Sequence, residues 1–263
     1  LLILLPSSVN AGLLLGVHPY LDAATLIERF QPLANYLSLK LDTNVEVRVG
    51  KDYDSHIQAI GRNTLDIAYL GPSSYVKLVQ QYEQKPLLAR LEANGKPTFA
   101  GHIIVRTDAT ISDLNQMNDK FFAFGDKNST MSRLVPQAML QHKGITLDKL
   151  SGYRFFKGHK NVAMAVLAGD ADAGAVKEEV VNQLIAQGIR SLAKSPEISE
   201  HVFVTRSDMD PVLQNQIRHL LLEINQPEHV KELLKPIKKT LTGLVPVKDE
   251  DYNSLRELME LVE

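Results

Sequence analysis

The feature that most constrains this chain is a repeated switch of hydrophobic period, from short β-like runs to amphipathic helices and back. Leu13–Val17 reads as a strand. Leu26, Ile27, Phe30, Leu33, Ala34, Leu37 and Leu41 then recur at helical spacing behind an Asp22 cap, with a kink or restart expected at Pro32. Val45, Val47 and Val49 alternate as a strand, residues 54–61 read as a helix and 65–70 as a strand, and a further helix starts at Pro72, since proline suits a first helical turn. Strand-like stretches follow at 87–91 and 102–106. In the second half, Phe121–Phe124, 129–142, 153–156, 161–168, 171–176 and 178–186 repeat the alternation; a strand at 202–205 and three helices near 211–224, 227–239 and 249–262 close the chain. Such alternation specifies an α/β protein with mostly parallel sheets.

A length of 263 residues is enough for two lobes. No low-complexity linker and no repeat separates them, so the boundaries must be short strand crossings, expected near 104–107 and 202–206. That gives a discontinuous lobe I (12–105 and 202–263) and a lobe II (106–201). The N-terminus adds a location. Leu1 to Leu5 form an apolar run, and Val9-Asn10-Ala11 has the small-residue spacing of a signal-peptidase site. Residues 1–11 are therefore read as an export-signal remnant cleaved near Ala11, which places the mature protein in the periplasm; the competing reading is a buried first strand.

Composition removes several function classes. Lys and Arg total 29 against 31 Asp and Glu, for a net charge of -2 with no basic block, which argues against nucleic acid as a partner. The absence of Cys excludes disulfides, thiolate metal sites and cysteine nucleophiles. The eight His are scattered without metal-ligand spacing, and no phosphate loop, dinucleotide fingerprint or hydrolase elbow occurs. No metal, cofactor or enzyme activity is expected. Ser129, His159 and Asp172 could be imagined as a triad, but nothing in their spacing supports one.

In open α/β sheets, ligands bind where strands end and helices begin. Two such turns here carry hydroxyls. One ends in Gly71-Pro72-Ser73-Ser74, the other runs through Ser129, Thr130 and Ser132. These hydroxyls, with the unpaired N–H groups of a helix start, make a neutral multi-donor cradle for an oxyanion. Capping alone would explain the same residues. His159 precedes an apolar helix and could donate to the same anion, while Glu178 and Glu179 follow the strand at 171–176 and could meet a cationic group.

Five ordered stretches carry a resemblance: GVHPY, DYDSHIQAIGRNTLDIAYLGPSSYV, FFAFGDKNSTMSRLVPQAML, GHKNVAMAVLAGDADAGAV and LTGLVPVKDEDYNSLRELMELV. From about residue 13 to the C-terminus the chain resembles the phosphate, phosphite and phosphonate-binding proteins of ABC transporters. The resemblance implies a two-lobed type II periplasmic-binding-protein fold with two crossover strands and a ligand in the interlobe cleft. It implies that a phosphonate group is held by a Ser-Thr-Ser run at a helix start, here Ser129 and Thr130, by the His of a Gly-His pair, here His159, and by the Tyr of an Asp-Tyr pair, here Tyr53. Met131 stands where the third hydroxyl is expected, with Ser132 displaced by one residue, and Phe99 stands where a second tyrosine is expected. The two carboxylates that meet an aminoalkyl group correspond to Glu179 and to His201, which argues against 2-aminoethylphosphonate as the preferred ligand. The implied partners are a small phosphorus oxyanion and a membrane ABC permease, for a monomeric receptor. The alternative is a sensor of the same fold that signals to a membrane kinase or cyclase.

Overall fold

The computed structural model describes residues 12–262, so the export-signal reading of residues 1–11 lies outside the described residues. The first half runs β1 (Leu13–Val17), α1 (Ala23–Leu41), β2 (Val45–Val49), α2 (Tyr53–Gly61), β3 (Ile67–Leu70), α3 (Pro72–Gln81) and β4 (Leu87–Ala93). A short strand β5 (Thr98–Phe99) leads into β6 (Gly101–Arg106) and β7 (Phe121–Phe124). Then come a π-helical turn (Thr130–Leu134) that continues as α4 (Val135–His142), β8 (Gly152–Phe155), α5 (His159–Ala168), β9 (Ala173–Lys177), α6 (Glu178–Leu184) and β10 (Ile189–Lys194). The chain returns through β11 (Ile198–Ser199) and β12 (Val202–Thr205) and ends with α7 (Pro211–Leu222), α8 (Pro227–His229), β13 (Leu241–Val245) and α9 (Asn253–Glu260).

Two sheets carry the two lobes. One has the strand order β13-β4-β12-β3-β1-β2, the other β10-β6-β9-β7-β8. The βαβ parts pair in parallel, as the alternation requires: β1 with β2 and β3, and β7 with β8 and β9. Strands that arrive from the other lobe or from the chain end pair antiparallel, β12 with β3 and β4, β13 with β4, and β6 with β9 and β10. The sheets are thus mixed, parallel where a helix returns the chain and antiparallel where a crossing strand enters.

Burial explains the elements. In β1, Leu13, Leu15 and Val17 are buried, and α1 lays Leu26, Phe30, Leu33, Ala34 and Leu37 on the same core. Each such side chain contributes roughly 1.5–3 kcal/mol of transfer free energy. That face outweighs the local cost of a helical proline, about 3 kcal/mol, so α1 continues through Pro32 and the expected restart does not occur.

The crossings differ from expectation. The first was placed near 104–107, yet β6 is hydrogen-bonded in the five-stranded sheet from Gly101 to Val105. The chain passes between sheets earlier, through β5, which pairs antiparallel with β11 on the return path: Phe99 opposite Ile198 and Thr98 opposite Ser199. The return likewise precedes residue 202, because β12 is already the third strand of the six-stranded sheet. Two adjacent, hydrogen-bonded crossings form a narrow ribbon, a geometry suited to a hinge. The strand β13 was not foreseen between the closing helices.

The lobes meet face to face. Ser73 Oγ donates to the Asn128 carbonyl at 2.9 Å, Thr130 Oγ1 donates to Ser73 Oγ at 2.8 Å, and the Ser73 N–H donates to Thr130 Oγ1 at 3.1 Å. Lys77 Nζ reaches Asn128 Oδ1 at 3.0 Å, and Asn128 Nδ2 donates to Asp54 at 3.1 Å. Beside this latch, Met131, Leu134 and Val135 join one core cluster with Tyr75, Tyr252 and Leu255 of the other lobe.

Candidate functional site

A cavity of about 1090 Å³ lies between the lobes, where strands end and helices start. Its lobe I wall is aromatic. The wall begins with His18, directly after β1, and continues with Tyr53, Tyr69 and, next to the hinge, His201. The His18 ring sits 5.3 Å from Tyr53 edge-on, 5.4 Å from Tyr69 and 5.3 Å from His201, centroid to centroid. Tyr69 and His201 stack at 5.4 Å with an interplanar angle of 11°. The Asp52 cap holds Tyr53 in place. Its carboxylate accepts from the Ser55 N–H at 2.7 Å while its own N–H donates to the Ser55 hydroxyl at 3.1 Å, which fixes Tyr53 as the first helical residue of α2.

Lobe II contributes two helix starts. In the first, Ser129 caps the π-helical turn by accepting from the Ser132 N–H at 3.3 Å, and Ser129, Thr130 and Ser132 all line the cavity. Gly125 makes this possible, because a Cβ there would run into the Ser132 hydroxyl. In the second, His159 follows the Gly158 cap as the first residue of α5. Its Nδ1 accepts from the Lys177 N–H at 3.2 Å, so the neutral ring carries its proton on Nε2 and presents a donor. Burial, with Lys177 and His201 nearby, pushes the His159 pKa down to about 3, so the ring is neutral at physiological pH.

The structure thus gathers most of the residues picked from the sequence around one cavity: Tyr53, Ser129, Thr130, Ser132, His159 and Glu179, together with Ser73 and His201. Their hydroxyls are not equivalent. Those of Thr130 and Ser73 are engaged with each other in the interlobe latch, so at Thr130 the backbone N–H is the group left for a ligand. Ser74 does not line the cavity; its hydroxyl is buried without a hydrogen-bond partner. Glu179 lines the cavity and pairs with Lys177 at 3.1 Å, whereas Glu178 turns away to Lys194 at 2.8 Å. Met131, in place of a third hydroxyl, is buried with its side chain packed into the core shared by the lobes and against Gly101. Phe99 keeps the aromatic shape of the wall, 5.6 Å from the His201 ring, without a hydroxyl.

Sequence reasoning missed two groups. His18 belongs to GVHPY, which carried the resemblance, but no spacing rule singled it out. It is 2 % exposed, lines the cavity, and neither ring nitrogen has a hydrogen-bond partner. Burial, then His201 and His56, holds its pKa well below the usual histidine range. An unpartnered polar ring at a cavity wall makes His18 a candidate ligand contact. Glu200 is the other. It is fully buried, accepts from His201 at 2.8 Å and pairs with Lys238 at 2.7 Å. Burial alone would raise its pKa, but His201 and Lys238 more than offset this and hold it at about 2. The carboxylate thereby anchors the His201 ring against the wall.

With this geometry in view, comparison with known proteins is decisive. A family described as ABC transporter, phosphonate, periplasmic substrate-binding protein matches residues 15–252. The chain belongs to this family. The phosphate-import protein PhnD of Mycolicibacterium smegmatis is 24% identical over 271 residues, which is 94% of this chain and 84% of that protein. Among solved structures, PhnD1 from Prochlorococcus marinus in complex with methylphosphonate is 20% identical at a TM-score of 0.82, over 94% of this chain and 97% of that one. XAC2383 from Xanthomonas citri, bound to ATP, is 21% identical at a TM-score of 0.79, over 95% and 96% of the two chains. These likenesses fix the fold as that of type II periplasmic binding proteins. The family is one of substrate-binding proteins of transporters. Among the described residues no helix is long and apolar enough to cross a membrane.

Proposed function

We propose that this chain is a periplasmic receptor that captures a phosphorus oxyanion or phosphonate group in the interlobe cavity and hands it to an ABC permease. The observation that carries this reading is the His159 arrangement: a neutral imidazole whose Nδ1 is committed to the Lys177 N–H, which leaves Nε2–H as its donor, on the lining of the same cavity as the helix start at Thr130 and the Ser132 hydroxyl. Phosphoryl oxygens are strong acceptors, and a set of neutral donors plus helix-start N–H groups binds them without a fixed cation at contact distance. Closure along the β5–β11 ribbon would exclude water from these bonds and strengthen them.

The test is calorimetric titration with inorganic phosphate, phosphite and methylphosphonate. Binding of at least one is expected, and His159→Ala should weaken it by about 1–3 kcal/mol, the cost of leaving an oxyanion lone pair without its donor. His159→Gln, whose amide can donate from a similar position, should recover part of the loss. Unchanged affinity in His159→Ala would remove the phosphoryl group from this pocket.

A further inference from the structure

Cationic side chains outnumber carboxylates around the cavity by seven to three, although the whole chain carries a net charge of -2. The cations come from both lobes. Lys157, Lys160 and Lys177 stand on lobe II, and Arg29, Lys235, Lys238 and Lys239 on lobe I, while the acids are Asp22, Asp126 and Glu179. Three of the cations have internal partners: Lys177 pairs with Glu179 at 3.1 Å, Lys238 with buried Glu200 at 2.7 Å, and Arg29 donates to the Ile237 carbonyl at 3.4 Å. Among the described residues, Lys157, Lys160, Lys235 and Lys239 make no ion pair, and all four are solvent-exposed. They form a rim around the cavity mouth, outside the buried donors.

This rim is out of proportion to a small phosphonate. The inner part of the cavity already offers a phosphoryl group neutral donors at His159, Ser132 and the helix start, so four further unpaired lysines on the lining, two from each lobe, would only repel one another. The cavity also leaves room beyond such a group. At about 1090 Å³ the cavity lies at or above the range of about 300–1000 Å³ that encloses drug-sized ligands, whereas methylphosphonate has only a handful of heavy atoms. Both mismatches vanish if the ligand extends outward from the buried end and carries further negative charge.

Resting on the oxyanion reading above, we propose that the ligand is a multiply charged phosphate ester of nucleotide size. One phosphoryl group occupies the donors around His159, and its remaining anionic groups meet the lysine rim as the lobes close. Because the rim is exposed, its contribution is screened by salt, while that of the buried donors is not.

The experiment is calorimetric titration of the wild-type protein and of a Lys160→Ala/Lys239→Ala double variant with inorganic phosphate, methylphosphonate, AMP and ATP, at low and high salt. Both substitutions are at exposed positions, one on each lobe, and thermal unfolding in the absence of ligand checks that the variant folds. ATP is expected to bind at least about tenfold tighter than methylphosphonate to the wild type, and the double variant should lose about tenfold for ATP with little change for methylphosphonate. Salt should weaken ATP binding more than methylphosphonate binding. If methylphosphonate or inorganic phosphate binds as tightly as ATP, or if the double variant binds ATP unchanged, the extended-ligand assignment is overturned while the receptor for a small oxyanion stands. If none of the four binds at either salt, and phosphite does not bind either, the oxyanion reading itself fails and this assignment falls with it.

Discussion

The two walls of the cavity solve different problems with different chemistry. The lobe I wall is made of packed rings, with His18, Tyr69 and His201 in mutual contact and His56 behind them, and burial holds the pKa values of His18 and His56 below the usual histidine range. The lobe II wall is made of helix starts and hydroxyls, with one histidine whose tautomer is set by a backbone N–H. A ring-packed wall is rigid and can hold unsatisfied polar atoms in place until a ligand arrives. A wall of backbone donors is positioned by the fold itself and needs only closure to complete it. On the proposed function, lobe II would hold the phosphoryl group and lobe I would set ligand shape.

The largest expected effect separates the walls by acid. His56 is pushed down to about 4 by burial, which outweighs its bond to the Tyr69 carbonyl at 3.1 Å, and His159 is pushed down to about 3. Both are favoured neutral when folded. Below the unfolded value near 6.5 the unfolded chain therefore binds more protons, so the stability these rings contribute is complete above pH 6.5 and is lost as pH falls towards 4 and 3. At pH 5 each ring costs about 2 kcal/mol relative to neutral pH. Denaturant titrations between pH 7 and pH 5 check this. On the proposed function, bound phosphate is an anion against the His159 Nε2–H; it should favour the charged ring and move the lobe II contribution up in pH, leaving that of His56 unmoved. Histidine proton titration by nuclear magnetic resonance reads the two separately, and a His56 that titrates near 6.5 would refute the rigid, dry character given to lobe I.

A middle-sized effect tests the unsatisfied ring. His18→Phe keeps an aromatic ring in the wall and removes two buried nitrogens that lack partners. Removing an unsatisfied buried polar group is worth about 1–3 kcal/mol, so the ligand-free protein should become more stable, by about 2–4 °C per kcal/mol for a chain of this size. Ligand affinity should fall in the same variant. A residue that is stabilising to remove and costly to binding is a ligand contact; one whose replacement lowers both is only core packing.

This residue also marks the limit of what the sequence could say. The period switches gave the α/β order, and the hydroxyls at strand ends gave the lobe II wall, because helix starts obey local rules that spacing reveals. His18 obeys none. Its role depends on Tyr53, Tyr69 and His201 converging from three separate segments, a long-range packing result. The placement of β5 and β11 was hidden for the same reason. A two-residue strand has too few positions to show alternation, and Thr98 and Phe99 become strand only by pairing with Ser199 and Ile198, about a hundred residues away. Similarly, Met131 looks like a lost ligand group in one dimension, while in three it fills the core between the lobes.

The smallest effect concerns the latch between the walls. Thr130→Val removes the hydroxyl that bridges to Ser73 but keeps the shape of the side chain and the backbone N–H offered to the ligand. The buried Ser73 N–H then lacks an acceptor, and the loss should be about 1–2 kcal/mol of closed-state stability. Because ligand binding requires closure, affinity should weaken by the same free energy at most, and the lobes should open in the absence of ligand, which small-angle scattering reads as a larger radius of gyration. Lys127→Ala supplies the control. Its ion pair with Asp54 also bridges the lobes at 3.3 Å, but both side chains are more than 60 % exposed, 68% and 63%, so water and salt screen it and affinity should change less than about twofold. If the exposed pair mattered more than the buried hydroxyl, closure would be governed by surface charge rather than by the dry contact of Ser73 with Thr130, and the division of labour between the walls would have to be redrawn.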